Sequence, residues 1–480
     1  MFTRGRPFFD RSEYRMSIVM KFGGTSVADA SALENVARIV AAQRELRPVV
    51  VVSAMSGVTD ALLKSVAMAR EGQVDEAFES LKDIFQRHAE AARQLLSAES
   101  LQRFLAYLGG PRAYVRQQLK RLANDPANPR EIQDIVVATG EFLSSRLTAD
   151  VLNRRGVNAQ LVLPHHCIVT NDDFTCATPL MPETFARTRE WLLPLIEEGV
   201  IPVVGGFIGA TARGNVSTLG RGGSDYTAAI VGAALRSEEI QIWTDVSGVL
   251  TADPRVVPEA QTIARLSYSE AAELAYFGAK VLHPKTIQPA IEDRIPVRIC
   301  NSRAPEERGT LVGPDTDTSP RTVKAIAHKK GVTTVQITSA RMLGAYGFLR
   351  ALFEVFERHR TVVDVVTTSE VSVSLSLDDD SALPLIVTEL EQLGTVRVEK
   401  KCAIICVVGE GLRGTPGIAA RVFSTISDIN VTLISQGASS INFTFAIEET
   451  RVEEAVRRLH EAFFTKLQKQ SNVNPGTAGV

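Results

Sequence analysis

Short apolar runs that end in polar, glycine-bearing turns recur through the first 300 residues of this 480-residue chain. Such runs occupy residues 18–21, 48–53, 134–138, 201–211 with its glycine-rich exit, and 241–244. A short run that is apolar throughout is typical of a parallel strand covered by helices on both faces. The pattern therefore predicts an α/β fold, a three-layer domain with a mainly parallel sheet, whose polar groups meet along one edge of that sheet.

The composition changes after Cys300, where residues 303–322 are polar and rich in Pro and Gly, as in a linker. Beyond the linker a βαββαβ pattern occurs twice, and the second copy lacks its last strand. We expect the strand at 323–330 to complete the second copy, so that the first copy is inserted within it. The predicted organisation is a flexible leader 1–16, a catalytic domain 17–302, a linker 303–322, a first unit 331–401, a second unit 323–330 with 402–466, and a flexible tail 467–480.

Charge and cysteine usage narrow the class of protein. The net charge of −2 gives no basic field for nucleic acid or an acidic membrane, and no apolar run is long enough to span a bilayer. Five scattered cysteines are typical of reduced thiols, so we predict a cytoplasmic protein. The motifs contain no histidine or cysteine cluster, so no protein-bound metal site is predicted.

The stretch Thr218–Ala228, TLGRGGSDYTA, concentrates chemically useful groups before a predicted helix. Arg221 offers a planar fork for a carboxylate or a phosphate, and Ser224 lies where helix N–H groups favour an anion. Lys21 ends a strand before Gly23 and Gly24, which is a geometry that cradles phosphates. The chain has neither a GxxxxGK[ST] motif nor a GxGxxG after a strand, which argues against a P-loop and a dinucleotide fold.

Glu141 follows the predicted strand at 134–138, and it either enters the ligand crevice or decorates the next helix. Taken in order, KFGGTSV, TGE, GFIG, TLGRGGSDYTA, WTDVSGVLTADPR and FGAKVLHP resemble the aspartokinases, amino-acid kinases with tandem ferredoxin-like ACT units. The resemblance covers about residues 17–465 and implies ATP-dependent phosphorylation of the β-carboxylate of L-aspartate. Another kinase of the same fold and an inactive amino-acid sensor are the alternatives.

The resemblance also implies roles for individual residues. The catalytic residues are Lys21, Lys280 and Asp225. The substrate-binding residues are Ser53, Thr59, Glu141, Phe207, Arg221 and Ser224, although Ser53 and Thr59 could instead cap a helix. The nucleotide contacts are Lys21, Gly23, Gly24, Thr244, Asp245, Leu250, Arg255 and Lys280. Leu250 stands where the family often has tyrosine beside the adenine, and Mg²⁺ is expected to ride on the ATP phosphates.

Regulation is expected in the first βαββαβ unit, where the segment 342–359 followed by 363–378 resembles lysine-sensitive aspartokinases. We expect L-lysine to bind between two copies of this unit in a homodimer, which could assemble further into a tetramer. Asp364 and Glu370 are predicted to meet its two ammonium groups, although both could merely solvate a strand edge. The predicted effector site comprises Met342, Gly344, Tyr346, Phe348, Leu349, Val363, Asp364, Thr368, Ser369 and Glu370.

Overall fold

The structure is a computed structural model, and it describes residues 17–124, 127–278, 282, 284–314, 322–437 and 439–465. These residues form two compact units. The first contains residues 17–248 and 284–314, and the second contains residues 249–278, 282 and 322–465. The segment 249–278, which the sequence analysis placed in the catalytic domain, therefore packs with the C-terminal part of the chain.

The strands follow one another along both units. They are β1 (Ile18–Phe22), β2 (Pro48–Val52), β3 (Ala159–Val162), β4 (Val169–Thr170), β5 (Ile201–Gly205), β6 (Ile208–Thr211), β7 (Val216–Thr218), β8 (Glu239–Thr244), β9 (Arg265–Ser267), β10 (Val297–Asn301), β11 (Thr310–Gly313), β12 (Ala325–Thr338), β13 (Val366–Thr368), β14 (Ser372–Leu377), β15 (Thr395–Val408), β16 (Val431–Gln436) and β17 (Asn442–Glu448).

The helices lie between and after these strands. They are α1 (Ala30–Ala42), α2 (Val58–Arg70), α3 (Val74–Glu79), α4 (Lys82–Leu95), α5 (Ala98–Asn124), α6 (Pro129–Arg154), α7 (Met181–Glu197), α8 (Gly223–Leu235), α9 (Tyr268–Tyr276), α10 (Gln288–Glu292), α11 (Phe348–Arg358), α12 (Leu383–Leu390), α13 (Ile418–Thr425) and α14 (Val452–His460). Five of them, α2 to α6, follow one another between β2 and β3.

The first unit is built on a sheet with the strand order β3-β5-β2-β1-β8-β10-β11. Every neighbouring pair from β3 to β10 is parallel, and only β11 runs antiparallel to its neighbour β10. The central strands β1 and β2 are buried at every residue, as expected for strands covered on both faces. The predicted α/β fold with a mainly parallel sheet is confirmed, and the carboxyl ends of β1, β2, β5 and β8 share one edge.

The predicted strand at 134–138 is wrong, because these residues belong to the long helix α6. Ile132, Val136 and Val137 are buried in the core of the first unit. Burial continues around α6, so its apolar residues form a continuous run and not a stripe with helical spacing. Such a run cannot be told from a buried strand by periodicity alone.

The second unit contains an antiparallel sheet with the strand order β13-β14-β12-β15-β17-β16. β12 and β15 are 14-residue strands that pair along their length, with register shifts between Lys329 and Thr334. Ala325–Lys329 pairs with Ile404–Val408, and the later part of β12 pairs with β14 and the start of β15. The two halves of the sheet are thus joined by continuous strands.

Candidate active site

Lys21 lies near the carboxyl end of β1, the strand that pairs with both β2 and β8. Its Nζ is 2.6 Å from Oδ1 of Asp225, in the first turn of α8. Only 11% of the Lys21 side chain and 18% of the Asp225 side chain are exposed. An ion pair so poorly hydrated is held in one arrangement, and Asp225 therefore fixes the position of the Lys21 ammonium.

The turn after β1 is fastened to two neighbouring strand ends. Gly23 donates its N–H to the carbonyl oxygen of Trp243 in β8 at 3.0 Å. The carbonyl of Gly24 accepts the N–H of Ser56 at 3.0 Å, in the loop after β2. The hydroxyl of Ser26 donates to Ser302 at 2.9 Å. These bonds hold the glycine turn rigidly beside the Lys21 ammonium.

Glu141 reaches this edge of the sheet from the interior of α6, not from a strand end. Glu141 is 3% exposed, and its Oε1 accepts a hydrogen bond from the N–H of Ala54 at 3.1 Å. Its Oε2 is buried and has no hydrogen-bond partner among the described residues. Burial raises the pKa of Glu141 to about 8, although the Ala54 N–H and the charge of Lys21 act in the opposite direction. A carboxylate with one free buried oxygen suits a cationic ligand group.

Ser53 follows β2 and is clamped between β1 and α6. Its N–H donates to the carbonyl of Phe22 at 3.0 Å, and its carbonyl accepts the hydroxyl of Ser144 at 2.8 Å. Thr59 lies in the first turn of α2, whose N-cap is Gly57. Neither Ser53 nor Thr59 therefore occupies the cap position of that helix, which was the alternative role considered for them.

The loop that carries Arg221 connects β7 with α8. Gly222 is the N-cap of α8 and has a φ of 74°, a left-handed conformation that favours glycine. Arg221 is exposed beside it, whereas Ser224 is buried in the first turn of the helix. Phe207 also has a left-handed φ of 67°, and its N–H donates to the hydroxyl of Thr227 at 3.0 Å. The arginine is thus presented from a loop whose two ends are ordered.

Asp134 is a supporting residue that the sequence analysis missed. It is 1% exposed and accepts three hydrogen bonds, from the N–H of Thr175 at 2.9 Å and from the N–H and hydroxyl of Thr218 at 2.9 and 2.7 Å. Burial raises its pKa to about 6 against the opposing effect of these bonds. Asp134 thereby fixes the start of the Arg221 loop. An acid inside an apolar run was the available signal.

The edge of the first unit therefore combines an ordered ammonium, glycine-turn amides, a buried carboxylate and an exposed guanidinium. Cations and amide donors stabilise the charge of a transferring phosphoryl group. A buried carboxylate and a guanidinium fork are complementary to the ammonium and carboxylate of an amino acid. This set of groups is suited to bringing an anionic amino acid together with a polyphosphate.

Comparison with known proteins agrees with this chemistry. Residues 16–301 match the amino acid kinase family model, and residues 405–463 match an ACT domain model. The chain is 40% identical over 474 residues to aspartokinase 3, chloroplastic, of Arabidopsis thaliana, covering 95% of this chain and 83% of the relative. It is 37% identical over 459 residues to lysine-sensitive aspartokinase 3 of Escherichia coli, covering 93% and 99%. The chain belongs to the aspartokinases.

Solved structures of this family have the same fold. E. coli aspartokinase III in complex with aspartate and ADP (R-state) has a TM-score of 0.77 and 36% identity, covering 93% of this chain and all of the other. The same enzyme in complex with lysine and aspartate (T-state) has a TM-score of 0.78, also at 36% identity, and covers 93% and 99%. As an aspartokinase, the chain is a phosphotransferase with a carboxyl group as acceptor.

The remaining predicted nucleotide contacts of this aspartokinase fall in different places. Thr244 ends β8, and its hydroxyl donates to Oδ1 of Asp245 at 3.2 Å in the first unit. Leu250 and Arg255 lie in the second unit, where Leu250 bridges to Thr262 and Arg255 pairs with Asp253 at 2.6 Å. Lys280 lies outside the described residues.

Within the described ranges, no group of three or more His, Cys, Asp or Glu side chains could hold a metal ion. No helix in the described part of the aspartokinase is long and apolar enough to cross a bilayer.

Proposed function

We propose that this aspartokinase transfers the γ-phosphoryl group of ATP to the β-carboxylate of L-aspartate at the Lys21–Asp225 edge of its first unit. The observation that carries the proposal is that the Lys21 ammonium, ordered by Asp225, and the buried Glu141 carboxyl group lie close enough to interact electrostatically. One oxygen of Glu141 is free of hydrogen bonds among the described residues. The related E. coli enzyme has been crystallised in complex with aspartate and ADP, which supports the same ligands here.

The amino-acid head group is bound by two charges in this proposal. Glu141 accepts the α-ammonium through its free oxygen, and Arg221 grips the α-carboxylate with its fork. Ser53, Thr59, Phe207 and Ser224 line the same pocket. This arrangement leaves the β-carboxylate as the nucleophile. Its reference pKa is near 4, so it is ionised at neutral pH and needs no general base.

The phosphoryl group is stabilised by positive charge that is already in place. Lys21, oriented by Asp225, and Lys280 neutralise the transferring group, where stabilisation grows in the transition state. Gly23, Gly24, Thr244, Asp245, Leu250 and Arg255 contact the nucleotide. Because the described residues hold no cluster of metal ligands, we place Mg²⁺ on the ATP phosphates, where it screens their charge.

We further propose that L-lysine inhibits the enzyme through the half-sheet formed by β13, β14 and the later part of β12. The E. coli structure in complex with lysine and aspartate supports this effector. Asp364 and Glu370 meet the two ammonium groups of lysine, and the turn before α11 supplies N–H donors. The other contacts are Met342, Gly344, Tyr346, Phe348, Leu349, Val363, Thr368 and Ser369.

Exposed apolar side chains support a homodimer through this half of the sheet. Tyr346 is fully exposed, and Leu349 and Phe353 on α11 are 41% and 38% exposed. Val366 lies on β13, which is an edge strand, and Val362 just before it is 73% exposed. A second copy of the chain would cover this apolar surface, and tetramer formation would require a further interface. We place the enzyme in the cytoplasm because all five cysteines are free thiols.

The test is ATP turnover by the purified chain with L-aspartate, L-glutamate or N-acetyl-L-glutamate as acceptor. Hydroxylamine traps the acyl phosphate as a hydroxamate, which separates transfer to a carboxyl group from simple ATP hydrolysis. Among these acceptors we expect hydroxamate only with aspartate, and its formation should be about 10²- to 10³-fold slower with Lys21→Ala. Faster turnover of another acceptor would identify a different kinase, and tight aspartate binding without turnover would identify a sensor.

The effector assignment is tested separately by adding millimolar lysine or threonine to the same assay. We expect lysine to inhibit, and Asp364→Ala and Glu370→Ala to reduce that inhibition without changing turnover in its absence. Stronger inhibition by threonine, or full activity in lysine, would overturn the assignment. Sedimentation of the full chain, with and without lysine, tests the dimer.

A further inference from the structure

Lys329, in β12, connects two acidic side chains with an aromatic ring. Its Nζ forms an ion pair with Asp378 and lies 3.7 Å from Oδ2 of Asp364. The same ammonium stands 5.0 Å from the centre of the Tyr276 ring, at the end of α9. All four residues belong to the second unit.

Asp364 and Asp378 share the ammonium of Lys329, so two carboxyl groups face one positive charge. The Asp364 side chain is 2% exposed, and its Oδ2 lacks a hydrogen-bond partner among the described residues. Burial, followed by the neighbouring Asp378, raises the pKa of Asp364. A second ammonium brought to Asp364 could hydrogen-bond this oxygen, because the existing contact of 3.7 Å is longer than a hydrogen bond and leaves it open. The new ammonium would then repel the Lys329 ammonium beside it.

The first half of β12 is also packed directly against the segment 249–278. Ile326 donates its N–H to the carbonyl of Thr251 at 2.8 Å, next to Leu250. Gly278 approaches the strand so closely that a Cβ there would lie 2.6 Å from the carbonyl oxygen of His328. Its φ of 123° is available to glycine and rarely to other residues. The chain two residues before Lys280 is therefore set by its contact with β12.

We propose that Lys329 is a positioning residue that couples the Asp364 site to the segment leading into Lys280. With Asp364 free of effector, Lys329 holds the Tyr276 ring and with it the end of α9. An effector ammonium at Asp364 displaces the Lys329 ammonium by charge repulsion, which weakens that hold and shifts Tyr276–Gly278, the described residues that lead into Lys280. The coupling rests on the proposed roles of Asp364 and Lys280, whereas the contacts of Lys329 do not depend on them.

Charge and shape at Lys329 are tested by Lys329→Gln and Lys329→Arg. We expect Lys329→Gln to lower kcat about 2- to 5-fold, the range for a cation–π contact at an exposed ring, with the KM for aspartate unchanged. Calorimetry should then show tighter lysine binding to this variant, because the Lys329 ammonium no longer opposes the effector. Lysine should nevertheless inhibit the variant less, because the hold on Tyr276 is already lost. Lys329→Arg should restore wild-type kcat and inhibition, since arginine retains the charge.

Tyr276→Leu and Tyr276→Phe form the matched pair on the other side of the contact. The leucine variant should reproduce the lower kcat and the reduced inhibition of Lys329→Gln, and the phenylalanine variant should resemble the wild type. If Lys329 had only a structural role, its loss would lower thermal stability. It would not produce tighter lysine binding together with weaker inhibition. Unchanged kcat and inhibition in Lys329→Gln, or weaker lysine binding, would overturn the proposal.

The two proposals fail in different ways. If lysine neither binds nor inhibits the wild type, the proposed effector is wrong, and the loss of kcat in Lys329→Gln and its rescue by arginine still decide the positioning role. If lysine inhibits the wild type and Lys329→Gln equally, the effector stands and the coupling through Lys329 is wrong.

Discussion

The ammonium of Lys21 and the carboxylate of Asp225 lie 2.6 Å apart although 204 positions separate them, since β1 and the start of α8 meet at one sheet edge. The pair is largely shielded from water, so loss of either partner leaves a poorly compensated charge. That relationship places positive charge at the site where we propose that the phosphoryl group is transferred.

Replacing Lys21 with Ala should lower kcat about 10²- to 10³-fold, as does removal of a charged or hydrogen-bonding group that stabilises a transition state. The aspartate KM should change much less, because Lys21 is assigned to the transferring group. Lys280→Ala is expected to have the same kinetic signature. Steady-state kinetics with Lys82→Ala as the control measure this, since the Lys82 side chain is 60% exposed and pairs only with a surface glutamate in the described residues. An increase in KM at constant kcat would contradict the assignment.

Arg221→Ala should raise the aspartate KM about 10- to 100-fold, because hydrogen bonds to charged groups are worth about 1.5–3 kcal/mol. Arg221→Lys should recover only part of that loss, since lysine has no planar fork. Arg213→Ala, an exposed arginine in the neighbouring turn, is the matched control. Full recovery by lysine would show that Arg221 acts as a simple charge.

Glu141 should make aspartate binding depend on pH. Its pKa is raised to about 8 in the free protein by burial, and the ionised form is the one that accepts an ammonium. The aspartate KM should therefore fall as the pH rises from 6 to 8, and binding should release a proton, which calorimetry in two buffers detects. Glu141→Gln should raise KM and remove this dependence. A KM unaffected by the substitution would make Glu141 structural.

The same shift predicts the pH dependence of stability. Because the folded pKa lies above the ordinary value of 4.5, the contribution of Glu141 is fully present below pH 4.5 and is lost as the pH rises through about 8. Glu141→Gln has no such loss. Its free energy of unfolding should therefore increase relative to that of the wild type as the pH rises from 5 to 9. Urea unfolding of both proteins at these two pH values is the measurement, and parallel curves would contradict it.

Asp134→Ala should destabilise the first unit by about 2–5 kcal/mol, since the buried N–H of Thr218 and the partly buried N–H of Thr175 lose their acceptor. Asp134→Asn should cost much less, because an amide oxygen can still accept both bonds and its NH₂ can donate to the hydroxyl of Thr218. Thermal unfolding compares the two variants. In Asp134→Ala the aspartate KM should also rise, since Thr218 begins the Arg221 loop. Equal stability of both variants would show that the three bonds matter little.

Leu250→Tyr should tighten ATP binding by about 0.5–1.5 kcal/mol if the ring stacks beside the adenine. Leu250→Phe separates stacking from the hydroxyl, because it supplies a ring alone. Direct ATP binding to each variant is the measurement. Weaker binding of ATP by both aromatic variants would show that the adenine is packed in another way.

The sequence by itself determined the fold class and the chemical groups of the site. Apolar runs such as 48–52 are long enough for a strand and too short for most helices. They therefore predict the α/β organisation of the first unit from the sequence. Local patterns also predict the turns and helix starts that carry Lys21 and Arg221, because such features are encoded by nearby residues. The family resemblance of the ordered motifs adds Asp225 to the predicted functional residues.

Only the tertiary structure decided that Glu141 stands in the middle of a helix and that Asp134 fastens the Arg221 loop. α6 is buried around its circumference, and burial removes the periodic contrast by which a sequence reveals a helix. The meeting of Lys329, Asp364 and Tyr276 was equally hidden, since these contacts join residues 35 or more positions apart. Long-range contacts of this kind follow from strand pairing and packing, which no local pattern specifies.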